Sequence, residues 1–255
     1  MTAILATLAS AQSLNIPTRL GSTNSLREAM SITGSKDMGN KEYYRGRACD
    51  SDEDTGSSNA VFNLEAGATL SNVIIGVNQL EGVHCQGAWT LKNAQATLPS
   101  KEAAPQNAAD KVIQHNGRGM VTVKDFTVVS VGKLFQSCDN CSKNGGPCNV
   151  VVTGLKANGV TSDLVGINSN YGNKATISRS CVNSVKKVCQ EYKGIVKGNG
   201  DSEKVSTTSS CTGAQGKLTG LLLARWSMID ELKSWTGKTA QEILFLPPWY
   251  SIHCT

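Results

Sequence analysis

Five short stretches repeat one arrangement of apolar and polar positions: ATLSNVIIG, WTLKNAQAT, VTVKDFTVV, VVVTGLKAN and ATISRSCVN. In each, β-formers alternate with polar residues, a small or turn-prone residue follows, and a second short apolar step closes the unit. Alternation with period two predicts half-buried strands. With Asn72, Asn93, Asp125, Gly154 and Arg179 as the centres, the intervals are 21, 32, 29 and 25 residues. Spacings of that order mark solenoids, propellers or arrays. The units are too short for four-stranded propeller blades, and no crossover helices separate them. Short strands and turns at one coil per period therefore predict an all-β fold, a parallel β-helix. Its inward side chains fill the core, and its outer face forms a long groove suited to a linear polymer. A β-sandwich is the competing arrangement.

Two regions depart from the alternation. AQATLPSKEAAPQNAAD (94–110) has two prolines, many alanines and no strand pattern. Beyond about Thr212, Leu221, Leu222, Trp226, Ile229, Leu232 and Trp235 recur at helical spacing, which predicts a capping or tail helix. The expected organisation is a leader over 1–11, a β-helix over 12–212 and a tail over 213–255.

Composition sharpens this picture. Among 255 residues there are 25 glycines, only 5% aromatics and 18% charged residues, a balance that favours turns and short strands over a helical bundle. The net charge of +5 suits a polyanionic partner. The basic residues are scattered without aromatic interleaving, so an acidic polysaccharide is expected rather than nucleic acid. The first residues, MTAILATLASAQ, are apolar up to a small-x-small step at Ala9-Ser10-Ala11 but lack a basic start. This reads as a defective secretory leader, with an ordinary cytosolic N-terminus as the alternative. No segment has the roughly 18 apolar residues that span a bilayer. Nine cysteines suggest disulfides in an oxidising compartment. Cys138-x-x-Cys141 is compatible with half a zinc site, but His84, His115 and His253 have no ligand spacing, so a disulfide is expected there.

Four longer stretches carry a resemblance: NAVFNLEAGATLSNVIIGVNQLEGVHCQG (59–87), ADKVIQHNGRGMVTVKDFTV (109–128), GKLFQSCDNCS (132–142) and GINSNYGNKATISRSCVNSVKKVCQEYKG (166–194). Together they are similar to the family 3 pectate lyases, over roughly residues 15 to 212. The resemblance implies a right-handed parallel β-helix that is secreted, and a monomer is the default for a capped solenoid. It also implies calcium-dependent cleavage of polygalacturonate by β-elimination.

That reaction removes the C5 proton, alpha to the uronate carboxylate, and expels the oxygen on C4. Negative charge grows on the carboxylate, so a cation bound there helps more in the transition state than in the ground state. Ca²⁺ suits this because it is a hard ion whose 6 to 8 oxygen ligands protein and uronate can share. Neighbouring positive charge and partial desolvation lower a lysine toward the range of a useful base. Matched to the family's motifs, Lys111 in DKV takes the position of the base, with Asp110 beside it. Lys133 in GKL matches a second cleft lysine that holds a substrate carboxylate, and Glu81 in EGVHC matches an acidic calcium ligand. Asp110 is the other metal candidate. His84 and His115 are expected to make structural hydrogen bonds.

Two positions differ from the family pattern. Where the family has an arginine after K-L, this chain has Gln136, which donates a hydrogen bond but carries no charge. Losing a transition-state contact of that kind costs about 2.7 to 4 kcal/mol. The family's acidic cluster is replaced by 94–108, shorter by roughly half a coil and holding Glu102 alone. Such a shortening is expected to disturb the ladder of coils. It fits either an inactivated relative that still binds pectin or a chain read through a wrong exon boundary. The expected function is thus a pectate lyase of impaired activity. The alternative is a β-helix that binds acidic polysaccharide without cleaving it. A hydrolase is disfavoured by the lack of paired cleft carboxylates.

Overall fold

The computed structural model describes residues 18–46, 56–76, 81–97, 111–142 and 144–217. Asp110, Glu102, the leader and the tail beyond Lys217 lie outside the described residues. Alternating stretches become strands in chain order: β1 Asn24–Ser25, β2 Met30–Ile32, β3 Ser35–Tyr44, β4 Ala60–Leu64, β5 Thr69–Ile75 and β6 Glu81–Cys85. They continue as β7 Trp89–Thr97, β8 Lys111–His115, β9 Gly119–Val129, β10 Lys133–Ser137 and β11 Cys148–Thr153. The last coils hold β12 Lys156–Asn168, β13 Ala175–Ser178, β14 Cys181–Lys193, β15 Glu203–Lys204 and β16 Cys211–Thr212.

Successive coils stack in parallel along three runs. One is β2, β4, β6, β8, β10 and then the second halves of β12 and β14. Another is β1, β3, β5, β7 and β9, continued by β11, β13 and β16. The third passes from the second half of β9 to the first halves of β12 and β14. Among the described residues only β14 and β15 pair antiparallel. This is a right-handed parallel β-helix, as the repeat and the resemblance led one to expect.

The expected centres are the corners of the coils. Asn72, Asn93, Asp125, Gly154 and Arg179 all have positive φ, between 47° and 68°. A left-handed residue is what bends a strand out of one face and into the next, and Asn, Asp and Gly bear that conformation best. The amides also ladder: Asn93 Nδ2 donates to Asn72 Oδ1 at 2.5 Å, and Asn72 Nδ2 to Asp37 Oδ2 at 2.6 Å.

Inside, apolar residues stack rung over rung. Phe62, Val83, Ile113, Phe135, Val165 and Cys189 align in one column, none more than 1% exposed. Each large apolar side chain buried in this way contributes about 1.5–3 kcal/mol. The expected disturbance by the shortened 94–108 region does not reach the strands on either side of it. β6 pairs with β8, and β7 with β9, without a register shift. Once every coil is locked by its hydrogen bonds and its core column, the length of the connection between β7 and β8 does not shift the ladder.

Cysteine chemistry follows the disulfide expectation. Cys138 is bonded to Cys141, Cys189 to Cys211, and Cys181 is also in a disulfide, while Cys85 and Cys148 are buried free thiols.

Candidate active site

The site lies along the β6–β8–β10–β12–β14 run. Lys133 and Lys111 are direct partners on neighbouring rungs. Two residues back from the pair Val83 and Ile113, Glu81 falls in the same column. Two residues back from Phe135 and Val165, Asp163 falls across from Lys133, and Asp163 is in turn partnered with Lys187. Three residues further along each strand runs a second column: His84, Gln114, Gln136, Gly166 and Gln190.

Lys133 is the best-defined group. Its side chain is 16% exposed, and the ammonium donates to Gln136 Oε1 at 2.8 Å and to the Tyr192 hydroxyl at 2.7 Å. It lies 4.5 Å from the centre of the Tyr192 ring, a cation–π contact. Asp163 Oδ2 is 3.2 Å away, an ion pair set off the hydrogen-bonding direction. The Tyr192 hydroxyl passes the chain on, donating to Asp163 Oδ1 at 2.9 Å, where Ser162 Oγ also donates at 3.0 Å. Lys204 completes the surround at 3.6 Å from Asp163 Oδ1.

Burial is the largest influence on all three central groups. It pushes Lys133 below its ordinary value, against the opposing pull of Asp163. It pushes the Asp163 carboxyl up, but the Lys133 charge and the hydrogen bonds from Tyr192 and Ser162 together outweigh it and hold that carboxyl low. It pushes the Tyr192 phenol far up, aided by Asp163, so Tyr192 stays a protonated donor throughout the working range.

Gln136 is 3% exposed and fixed by its own Nε2, which donates to the Ser137 carbonyl at 3.0 Å. Its amide lies across Gly166, where a Cβ would stand 2.1 Å from Oε1. Any other residue at 166 would push the amide off Lys133. Lys111 is half-buried at the start of β8. Glu81 is 1% exposed, its Oε2 3.1 Å from His84 Nε2, while Asn116 Nδ2 meets His84 Nδ1 at 3.2 Å. The imidazole thus bridges the Glu81 carboxylate and the Asn116 amide. His115 Nε2 donates to the Gly87 carbonyl at 3.0 Å. Both histidines thus make the structural hydrogen bonds expected of them.

The described residues do not form a calcium cage. Among them no three His, Cys, Asp or Glu side chains come together as a metal set. The Glu81 carboxylate is engaged by His84, and Asp163 already faces two ammonium groups. A hard cation needs several such oxygens at once.

The sequence reading named Lys133, Lys111, Gln136 and Glu81, and the fold gathers all four in two neighbouring columns. It missed Asp163, Tyr192, Lys204 and Lys187. Only register brings the first three to Lys133. Lys187 had a visible signal, the recurrence of K-x-x-Q.

Parallel coils with lysines in register along one sheet fit a β-helical polysaccharide lyase. A pectate lyase family model matches residues 13–199. A probable pectate lyase E from Neosartorya fischeri is 45% identical over 198 residues, 71% of this chain and 76% of that protein. Pectate lyase H from Emericella nidulans is 43% identical over 209 residues, 75% of this chain and 79% of that protein. The catalytic domain of pectate lyase PelI from Erwinia chrysanthemi superimposes with TM-score 0.54 and 28% identity, over 76% of this chain and 98% of that domain. The chain belongs to the pectate lyase family.

Proposed function

We propose that the protein is secreted and cleaves polygalacturonate by β-elimination, with Lys111 as proton acceptor and Lys133 holding the uronate carboxylate. In that step the Lys111 amine takes the C5 proton. The electron pair left behind forms the C4–C5 double bond as the C4–O bond breaks, and the departing oxygen takes a proton from water. The observation that supports the reading most is the alignment of Lys111 with Lys133 on adjacent rungs. Lys133 is aimed by Gln136, Tyr192 and Asp163, so the carboxylate it binds would sit one rung from the acceptor.

In this reading Glu81 and Asp110 would be the protein ligands of calcium, which would supply electrophilic charge to the uronate. Because the described residues make no cage and Gln136 carries no charge, the reading includes weak metal binding and a low rate. A second reading, binding of acidic polysaccharide without cleavage, rests on the same sparse set of carboxylates.

The test incubates the full chain with polygalacturonate and calcium and follows the ultraviolet absorbance of the conjugated double bond. Slow growth in absorbance, abolished by chelator and by Lys111→Ala, is the expected result. Reducing ends without absorbance would make it a hydrolase, and saturable binding with neither would make it the binding module. A rate that chelator leaves unchanged would remove calcium from the reading.

A further inference from the structure

Three tetrapeptides share one pattern: KVIQ at Lys111–Gln114, KLFQ at Lys133–Gln136 and KVCQ at Lys187–Gln190. The fold aligns them lysine over lysine and glutamine over glutamine, with Asp163 and Gly166 on the rung between the second and third. The third repeats the internal geometry of the second. Lys187 Nζ donates to Gln190 Oε1 at 2.7 Å, against 2.8 Å for Lys133 and Gln136. The Gln190 amide is itself fixed, its Nε2 donating to the Glu191 carbonyl at 2.6 Å and the Val205 carbonyl at 2.9 Å.

The two units differ in their counter-charge. Lys133 is paired with Asp163, whereas Lys187 is half-buried and has no ion pair with any carboxylate among the described residues. Asp163, its partner across the ladder, is engaged instead by Lys133 and Lys204. A neutral amide orients an ammonium group but does not offset its charge. A partly desolvated cation held in one place, with its anion missing, is preorganised for an anionic ligand.

We propose that Lys187, positioned by Gln190, is a further carboxylate-binding subsite for a uronate chain, two rungs beyond Lys133. The proposal rests on the galacturonide reading above. Strands stack about 4.8 Å apart, so the two lysines stand about 10 Å from one another along the helix axis. A linear uronide carries one carboxylate per sugar at a repeat comparable to one rung. A chain lying along the axis therefore meets Lys111 and Lys133, crosses the already neutralised Asp163 rung, and reaches Lys187. The consequence is a preference for long oligomers over short ones.

Calorimetric titration of the full chain with galacturonate oligomers of two to six sugars tests this without depending on turnover. Affinity is expected to climb with length. Lys187→Gln is expected to lose about three- to tenfold at six sugars, the scale of one partly screened charge-assisted contact, with the loss shrinking as the ligand shortens. Lys187→Arg should retain the gain with length. Lys187→Met, which keeps the stem and drops the charge, serves as the second variant and should behave like Lys187→Gln. An unchanged gain with length in both charge-removing variants, or an equal loss at every length, would overturn the subsite and leave the galacturonide reading intact. If the native chain binds no galacturonide of any length, both fall together.

Discussion

A buried tyrosine decides how well Lys133 is aimed. The Tyr192 hydroxyl accepts from Lys133 and donates to Asp163, while its ring underlies the ammonium group, so one side chain sets both the position and the solvation of that cation. Tyr192→Phe keeps the ring and removes the hydroxyl. The expected outcome is a fall of about tenfold in kcat/KM on polygalacturonate, with about 1 kcal/mol lost in denaturant unfolding, the usual worth of a hydrogen bond. A wild-type rate in that variant would show that the phenol is packing alone. None of this was legible from the sequence around Tyr192. In EYKG it reads as one more aromatic near a strand end, and its partner lies 59 residues away.

The corner of the coil is the element on which register depends. Five centres chosen from the alternation alone proved to be left-handed residues, because the polar, turn-prone position between two apolar steps is where the backbone has to leave one face. Asn93 combines both contributions, a φ of 47° and a side chain that donates to Asn72. Asn93→Ala is expected to cost about 2 kcal/mol, from left-handed strain and a lost hydrogen bond together, read as a lower urea midpoint. Asn93→Gly, which relieves the strain but not the lost bond, should recover roughly half. Corners were legible because they are local. The antiparallel β14–β15 pair, which brings Lys204 over the site, has no alternating signal and was not anticipated.

Across the whole molecule, one imidazole links the fold to pH. His115 is fully buried, its Nε2 donates to Gly87 and its Nδ1 has no partner among the described residues. Burial lowers its pKa from 6.5 to about 4, against a smaller raising effect of the Gly87 bond. The unfolded chain therefore binds a proton between pH 6.5 and about 4 that the folded chain refuses. Stability contributed by this group is complete above pH 6.5 and is lost as pH falls toward 4, by about 3 kcal/mol at most. Unfolding free energies measured at pH 7 and pH 4.5 should show that loss, and His115→Gln should flatten it. A slope of the opposite sign would mean that the imidazole finds an acceptor when charged.

The sequence alone determined that the chain coils, where five of its corners lie, and that Lys111 and Lys133 match a pectate lyase motif from which Gln136 departs. Those properties are written in local alternation, turn propensity and motif. Tertiary structure decided what surrounds them. Register set Asp163 and Tyr192 against Lys133 and left Lys187 without an ion pair among the described residues. The reason is that stacking one coil on the next joins residues separated by a variable number of positions. No fixed spacing in the chain can encode those neighbours, and only the ladder of hydrogen bonds specifies them.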